Sequence, residues 1–235
     1  MSWTFETIGI VHSPCKEKFA VPRQSGLAPA LKAQIEIIKP YDREEAFTAL
    51  DGFSHIWVIS VFHQAQRDGW QSTVRPPRLG GNERVGVFAS RAPYRPNPIA
   101  LSVIEYHGLE KKNGKLFLNV SGVDLVNGTP VLDIKPYIPY ADQPDTSTAG
   151  YVTDREKAVL NVEFSYLALL QCGEVTEQHG IHIQTLIAQL LRLDPRPAYI
   201  NSQSEKLYGV NIANYNVKFV VEGQAVKVLR VEPVN

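Results

Sequence analysis

Five arginines lie between Arg75 and Pro98 of the 235-residue chain, with Glu83 as the single acidic residue among them. They are Arg75, Arg78, Arg84, Arg91 and Arg95. Prolines stiffen the backbone of the same stretch, and glycines let a ligand approach it closely. Docking an anion on cations held in this way costs little entropy. Planar guanidinium groups on such a backbone favour phosphates and carboxylates over a merely solvated loop. The stretch predicts an anion site, and Tyr94 beside Arg95 offers a surface on which a base could stack.

Two shorter segments carry polar side chains that suit a ligand. Pro22, Arg23 and Gln24 place a bidentate cation and an amide on stiffened backbone shortly before a glycine. His63 and Gln64 end the apolar run WVISVF, and polar groups at the end of a buried strand often line a site. A surface loop and a structural histidine are the competing interpretations of these segments.

Two aspartates form another candidate group. Asp124 and Asp133 flank the Asn127–Gly128 dipeptide in sequence typical of strands. A buried aspartate needs a partner, and an arginine from the preceding loops is the obvious one. An ion pair that holds a turn and a catalytic carboxylate are both compatible with this pattern.

Composition limits the kinds of site to expect. Formal net charge is zero, with 24 basic and 24 acidic residues, so a polyanion site has to be local. Cys15 and Cys172 have neither a CxxC nor a matching His pair, which argues against a disulfide framework and a zinc site. The first residues lack a basic region followed by an apolar core, and no run approaches the roughly 18 to 20 apolar residues of a membrane span. We therefore expect a cytoplasmic protein without a metal.

Strands are the elements that must position most of these residues. Short runs rich in Val, Ile and aromatics alternate with Gly, Pro and Asn, which predicts a closed or nearly closed β-barrel. The runs are TFETIGIVHS, IEIIKPY, HIWVISVF, RVGVFAS, ALSVIEYHGLE, KLFLNVSGVDLV and PVLDIKPYIPY. Asn113–Gly114 predicts a tight hairpin, and Asn127–Gly128 another tight turn. One helix is predicted over DREEAFTALDGF, with Asp42 as its cap and Glu45 completing a capping box.

A polar segment from Ala141 to Asp154, ADQPDTSTAGYVTD, predicts a linker between residues 1–145 and a smaller α+β domain over residues 146–235. In the second domain we predict a strand over AVLNVEFSYLALLQC, a helix over TEQHGIHIQTLIAQLLRLD, and paired strands NYNVKFVVE and AVKVLRVEP. The helix carries one apolar stripe of Ile183, Leu186, Ile187, Leu190 and Leu191. The segment DPRPAY, which reads by itself as a helix stop, is expected to expose Arg196 and Tyr199. The predicted fold class is mainly β.

In this order, the segments VPRQ, FHQ, VRPPRLGG, GVFASRAPYRPNPIALS and DLVNGTPVLDIKPY resemble the YaeB/TsaA-like family, also called the TrmO family of tRNA methyltransferases. The match covers residues 5–140, and DPRPAY with NYNVKF extends it over most of the remainder. The resemblance implies a homodimeric β-barrel enzyme without a metal that binds S-adenosylmethionine. It also implies methylation of N6 of N6-threonylcarbamoyladenosine, the modified base just 3′ of a tRNA anticodon.

The resemblance also implies roles for individual residues. Cofactor contacts fall on Pro22, Arg23, Gln24, His63, Gln64, Arg91, Leu101, Asp124, Leu125, Val126, Asn127 and Gly128, all within the barrel domain. Contacts to tRNA fall on Arg75, Arg78, Arg95, Arg196 and Tyr199. Asn127 stands where family members often have Asp, so its contact stays open. Asp133 is our candidate acceptor of the N6 proton and His63 the alternative, and a non-catalytic module that clamps an anticodon loop is the competing function.

Overall fold

The computed structural model describes residues 3–64, 69–152, 160–194, 196 and 206–234. Its N-terminal part contains β1 (Gly9–His12), β2 (Lys32–Ile37), β3 (His55–Val61), β4 (Thr73–Val74), β5 (Val85–Gly86), β6 (Ile99–Lys112), β7 (Lys115–Ser121) and β8 (Pro130–Pro136). Six of these strands pair antiparallel in the order β1-β2-β7-β6-β3-β8, and β8 pairs back with β1, so the sheet closes into a barrel. A short helix, α1 (Pro139–Asp142), follows β8.

The barrel closes around side chains that alternate along each strand. In β3, Ile56, Val58 and Ser60 are buried, whereas the residues between them are half-exposed. In β6, Ala100, Ser102 and Ile104 are buried in the same alternation. The period of two follows from strand geometry, because successive side chains point to opposite faces of the sheet. The two serines are therefore polar groups on an otherwise apolar interior face.

The predicted turns are confirmed. Asn113 and Gly114 have φ of 52° and 72°, the pair of positive values that a two-residue hairpin between β6 and β7 requires. At Asn127–Gly128 only the glycine has a positive φ, 80°. The N–H of Thr129 closes this turn on the Val126 carbonyl at 3.2 Å.

The helix predicted over DREEAFTALDGF is wrong. The segment forms two separate 3-10 turns, Glu44–Phe47 and Leu50–Gly52, and Ala49 between them has a left-handed φ of 69°. No capping side chain is bonded at the start of the first turn, so the expected Asp42 capping box is absent there. Phe47 and Leu50 pack against the barrel core, and this packing overrides local helix signals in so short a segment.

The run RVGVFAS was predicted to be a barrel strand, and this prediction is wrong. Only Val85–Gly86 is extended, pairing with β4, and Val87–Ala89 forms a 3-10 turn. The Val87 N–H bonds to the Ser72 carbonyl at 3.0 Å, which ties the two halves of this region together. Residues 69–98 thus form a small lobe that carries all five clustered arginines, and we call it the arginine lobe.

The C-terminal unit contains β9 (Asn161–Phe164), α2 (Tyr166–His179), α3 (Ile183–Leu191), β10 (Tyr208–Ile212), β11 (Tyr215–Glu222) and β12 (Ala225–Pro233). Its sheet has the order β10-β11-β12-β9, with β9 parallel to β12. The strand predicted over AVLNVEFSYLALLQC ends at Phe164, because Ser165 caps α2 by accepting the Ala168 N–H at 3.1 Å. Gly180, with φ of 65°, ends α2 inside the predicted helix. The apolar stripe of α3 is confirmed, since all five of its residues are buried.

The two units share one hydrophobic core. Cys15 and Ile212, both fully buried, form an isolated β-bridge across the boundary. The Ala213 N–H bonds to the Pro14 carbonyl at 3.1 Å, and the Ala30 N–H bonds to Oε1 of Gln189 at 2.7 Å. Within the described ranges, no helix combines the length and the apolar character needed to cross a membrane.

Candidate functional site

The loop Pro22–Gln24 lies against the arginine lobe. The exposed Arg91 guanidinium donates a hydrogen bond to Oε1 of Gln24, and Nε2 of Gln24 donates to the Arg23 carbonyl at 2.6 Å. Pro22 is buried, so it anchors the loop, whereas Arg23 stays exposed. Gln24 and Arg91, which are 67 residues apart and were both predicted to contact the cofactor, are therefore in direct contact.

Asp124 joins the same site from the loop that follows β7. Its Oδ1 accepts a 2.6 Å hydrogen bond from the buried Ser102 hydroxyl on β6. Burial raises the pKa of the Asp124 carboxyl above its ordinary range, and the opposing contributions come from Ser102, from the Ser25 and Asp124 N–H groups and from the Arg91 charge. The predicted arginine partner is thus present, but it acts through its charge while a serine makes the hydrogen bond.

The segment His63–Gln64, at the end of β3, contacts the turn that precedes the loop Pro22–Gln24. The Lys18 ammonium donates to the Gln64 carbonyl, and Lys18 lies in a 3-10 turn, Lys18–Ala20, just before Pro22. His63 is half-buried and Gln64 is exposed. Lys18 is a residue that the sequence analysis missed, because its role depends on a contact between distant parts of the chain.

The far end of the Asp124–Gly128 turn is occupied by structural contacts. Oδ1 of Asn127 accepts the Ser13 N–H at 3.2 Å, and the Gly128 N–H bonds to the Val11 carbonyl at 2.7 Å. Leu125 is buried in the core, and Val126 is half-buried. These residues hold the turn against the N-terminal strand, so the Asp124 end is the part that the Arg91 charge influences.

A cleft of about 340 Å³ adjoins this site. Ser25 and Gly26, which follow Gln24 directly, line it together with His55, Glu105 and Ser121. A larger cleft of about 700 Å³ lies in the C-terminal unit between β9 and α3 and contains none of the predicted site residues. Among the described residues, no three His, Cys, Asp or Glu side chains cluster in a way that could hold a metal ion.

Comparison with known proteins matches both parts of the chain to one family. Residues 10–143 match the tRNA-methyltransferase O N-terminal domain, and residues 157–234 match the TrmO C-terminal domain. The chain belongs to the TrmO family.

Several TrmO relatives are similar over nearly their whole length. The Escherichia coli tRNA (adenine(37)-N6)-methyltransferase is 40% identical over 233 residues, which are 99% of each chain. A putative S-adenosylmethionine-dependent methyltransferase of Pseudomonas aeruginosa, RcsF, is 44% identical over 217 residues, or 92% of each chain. A crystal structure of TrmO from Pseudomonas aeruginosa superposes with a TM-score of 0.81 at 36% identity and covers 98% of each chain.

Leu101, which the TrmO resemblance assigns to the cofactor, lies next to Ser102 but faces the other way. Its side chain is on the outer face of β6 and is 54% exposed. On this face Leu101 pairs with Ile59 of β3, and Ile59 also pairs with Asp133 of β8. The Leu101 side chain can therefore contact a ligand only from outside the barrel.

Asp133 is not brought against Arg91, Gln24 or Asp124 by any described contact. Its Oδ2 is 2.8 Å from the Lys135 ammonium, and its Oδ1 accepts the Ile134 N–H at 2.9 Å. Because it lies two strands from Leu101, its backbone is roughly 10 Å from that residue. Asp133 thus faces the same outer surface as Leu101 without touching the centre of the site.

The arginines of the lobe differ in their exposure and in the hydrogen bonds that their guanidinium groups make within the lobe. Arg95 donates to the Val87 and Ser90 carbonyls at 3.0 and 2.8 Å, so it holds the lobe together. Arg84 donates to the Thr73 hydroxyl at 2.8 Å. Arg75 is exposed, and Arg78 lies in the 3-10 turn Pro77–Leu79. Among those predicted to contact tRNA, Arg75 is open to solvent and Arg95 is half-buried.

The expectation that Arg196 is exposed is wrong. Its guanidinium makes a bidentate pair with the Asp194 carboxylate, both N–O distances being 2.8 Å, and its side chain is only 10% exposed. Burial alone raises the pKa of Asp194, but the hydrogen bonds and charge of Arg196 outweigh that effect and lower it. Arg23 also donates to the Asp194 carbonyl at 3.4 Å, so this pair supports the loop Pro22–Gln24 from the C-terminal side. Tyr199 lies outside the described residues.

Proposed function

We infer that the chain is an S-adenosylmethionine-dependent tRNA methyltransferase that acts on N6 of an adenine. The names and the near-complete alignment of its TrmO relatives support this activity. The structural observation that carries the inference is the convergence of Pro22–Gln24, Arg91 and Asp124 at one place. These segments come from three separate parts of the barrel domain, and a ligand that all three bind would account for the meeting of such polar groups.

The groups at this place fit S-adenosylmethionine chemically. A guanidinium such as Arg91 suits the cofactor carboxylate, and the Gln24 amide suits the edge of a base. The Asp124 carboxylate accepts hydrogen bonds, so it suits an ammonium or hydroxyl groups. The site combines a local group of cations with the half-buried carboxylate of Asp124 in a protein of zero net charge, which suits a ligand that carries both a positive and a negative charge.

The cofactor sulfonium supplies an electrophilic methyl group, so the work left to this chain is chiefly positioning. The Arg91–Gln24 hydrogen bond fixes the loop Pro22–Gln24 with the adjoining Ser25, which we call the cofactor loop, against the arginine lobe. Ser102 fixes Asp124 against β6. The N6 proton must also leave. His63 is one proposed acceptor, because it adjoins Gln64, whose carbonyl is held by Lys18 just before the cofactor loop. Asp133 is the other proposal, for which a substrate would have to displace Lys135.

The adenine that we propose as substrate carries a threonylcarbamoyl group. Its free carboxylate needs a cation, and with Arg91 assigned to the cofactor, the arginine lobe still offers the exposed guanidinium group of Arg75. Anticodon-loop phosphates need further cations from the same surface. A site built to pair a carboxylate discriminates strongly against an adenine that lacks it.

We further propose a cytoplasmic homodimer formed through the outer face of β3 and β6. Three cross-strand pairs on this face are apolar: Trp57 with Val103, Ile59 with Leu101, and Val61 with Ile99. The solvent face of an antiparallel sheet is normally polar, yet Leu101 and Ile99 are 54% and 37% exposed. Because Leu101 belongs to both the face and the predicted cofactor contacts, a second copy there would border the site.

The decisive experiment is methyl transfer from labelled S-adenosylmethionine to tRNA, followed by mass spectrometry of the nucleosides. We expect one methyl group on N6 of threonylcarbamoyladenosine, and little on the same tRNA made without that modification. A chain that binds tRNA but neither binds the cofactor nor transfers a methyl group would instead be the non-catalytic module. Equal rates on both tRNAs would leave the methyltransferase activity but overturn the proposed substrate.

A further inference from the structure

We propose that Trp70 and Phe88 form a platform on which an unpaired base of the tRNA anticodon loop stacks while its neighbour is methylated. This inference rests on the proposed function, because it specifies where the tRNA substrate docks. Neither aromatic residue belongs to the cofactor site or to the arginine contacts described above.

The two rings form one exposed aromatic surface. Their centroids are 6.4 Å apart and their planes are inclined by 26°, which is a stacked arrangement. Trp70 is 52% exposed and Phe88 is 72% exposed. Large aromatic side chains contribute to folding by burial, so a stacked pair that remains this exposed favours a binding role.

Contacts around the two rings hold the platform in place. The Arg95 guanidinium lies 5.6 Å from the Phe88 centroid and is itself bonded to the Val87 and Ser90 carbonyls. Tyr151 donates from its hydroxyl to the Ala89 carbonyl at 2.9 Å. Trp70 is held from the other side, because the adjacent Gln71 N–H bonds to the Tyr94 carbonyl at 3.1 Å. A surface fixed in this way loses little entropy when a ligand stacks on it.

The charge around the platform favours RNA. Residues 69–98 contain five arginines, no lysine and one acidic residue, Glu83. Single-stranded RNA is recognised by aromatic side chains that stack on its bases and by cations that follow its phosphates. The chain as a whole has no net charge, so this combination is local to the lobe.

A second copy of this chain fits the platform poorly. A two-fold symmetric contact would place the arginine lobe of one copy against the arginine lobe of the other. Like charges brought together in this way repel each other and disfavour the contact. The apolar and uncharged face of β3 and β6 suits a second copy better, which leaves the platform available for RNA.

The position of the platform also suits the reaction. Phe88 is three residues before Arg91, and Arg91 contacts Gln24 of the cofactor loop. A base stacked on the platform would therefore lie beside the site, where a nucleotide adjoining the target adenine is expected. Stacking there would help to hold the anticodon loop open while the target nitrogen is placed for attack.

The test compares Phe88→Ala and Trp70→Ala with the conservative variants Phe88→Tyr and Trp70→Phe. Binding to an anticodon stem-loop and kcat/KM for tRNA should both weaken roughly fivefold or more in each alanine variant, because a stacked base contributes about 1–3 kcal/mol. The conservative variants should recover most of the loss. Trp3→Ala, which removes another exposed tryptophan, serves as the matched control and should change neither quantity.

Tryptophan fluorescence gives a readout that does not depend on methylation. Of the three tryptophans, Trp3, Trp57 and Trp70, the stem-loop should quench Trp70, so that Trp70→Phe loses the quenching and Trp3→Phe keeps it. Unchanged stem-loop affinity in both alanine variants would overturn the platform. So would alanine variants that become monomeric in the ultracentrifuge, since the surface would then join copies of the chain. If the unaltered chain methylates no tRNA, the proposed function fails, but the quenching result still decides the platform.

Discussion

The Ser102 hydroxyl donates a 2.6 Å hydrogen bond to Oδ1 of Asp124, and both groups lie where the interior of the barrel meets the cofactor loop. Ser102 is fully enclosed by β6 and its neighbours, whereas Asp124 also receives the Ser25 N–H from the cofactor loop. The pair therefore connects the barrel wall to the loop that carries Gln24. The orientation of Asp124 in the proposed site therefore depends on Ser102, a residue buried in the barrel wall.

Ser102→Ala should weaken S-adenosylmethionine binding by roughly tenfold, because a hydrogen bond to a charged group contributes about 1.5–3 kcal/mol. Ser102→Thr keeps the hydroxyl and should recover much of the affinity. Calorimetric titration measures the affinity, and circular dichroism checks that each variant is folded. If threonine is no better than alanine, Ser102 acts through packing alone.

Asp124→Asn should make stability less dependent on pH. Burial raises the pKa of Asp124 above its ordinary value of 3.8, so its contribution to stability is fully present below that value and is lost as pH rises through the folded-state pKa. The asparagine still accepts from Ser102 but does not ionise. As pH rises from 4 to 8, the Tm of the variant should therefore increase relative to the Tm of the unaltered chain. The variant should also lose cofactor binding.

Asp133→Asn is the matched control for this measurement, since that carboxylate is half-exposed and paired with Lys135. Scanning calorimetry of the three proteins at several pH values gives the comparison. An Asp124→Asn variant whose Tm falls further behind with rising pH would contradict the expected sign.

Arg91→Ala should lower kcat/KM for tRNA methylation at least tenfold, because truncating one charge-assisted partner of a ligand costs about 1.5–3 kcal/mol. Arg91→Lys keeps the charge but loses the planar fork, so an intermediate rate is expected. Arg43→Ala, an exposed arginine outside the lobe, is the control. Steady-state kinetics at saturating cofactor provide the measurement, and activity within twofold in the alanine variant would make Arg91 a structural residue.

The strands and turns of the barrel could be predicted because they depend on local chemistry. The period of two and the Asn113–Gly114 dipeptide specify strands and a hairpin before any tertiary contact is known. The helix predicted after Tyr41 failed because Phe47 and Leu50 pack against the barrel instead. The run after Phe164 failed because an apolar sequence is ambiguous between strand and helix, and the Ser165 cap decided it.

The role of Ser102 could have been predicted from the sequence, although it was not. It occupies an inward position of β6 between Ala100 and Ile104, where the alternation calls for an apolar side chain. A polar residue at such a position needs a buried partner, and this requirement was a usable signal. The Lys18 contact with Gln64 and the Arg23 contact with Asp194 had no such signal, since they depend on how distant loops meet.

Arg196→Ala should lower the free energy of unfolding, and this effect should be larger than any effect on RNA binding. It leaves the partly buried Asp194 carboxylate without its partner, which costs up to about 3 kcal/mol. Because the pKa of Asp194 is lowered, this contribution is present above its ordinary value of 3.8 and is lost as pH falls. The Tm deficit of the variant should therefore be full at pH 6–8 and shrink in acid. Arg230→Ala, which breaks an exposed pair with Glu232, should change the Tm little.

A chain that ends at Pro144 provides the last prediction, on the division of labour between the two units. All segments assigned to the cofactor precede this point, so S-adenosylmethionine affinity should fall only a few-fold. Stability should fall more, because the cut removes the partners of Pro14, Cys15 and Ala30 across the boundary.

The three lost contacts, at about 1 kcal/mol each, and the apolar surface that the cut exposes should together lower the Tm by roughly 10 °C or more. Methylation of tRNA should nearly vanish, since a reacting nitrogen misplaced by about 1 Å can cost 10²-fold. Calorimetry, cofactor titration and methyl transfer measure the three effects, and adding residues 146–235 as a separate chain should restore part of the stability, because the shared core would form again. A shortened chain with an unchanged Tm and a full rate of methylation would show that the first unit is independent of the second.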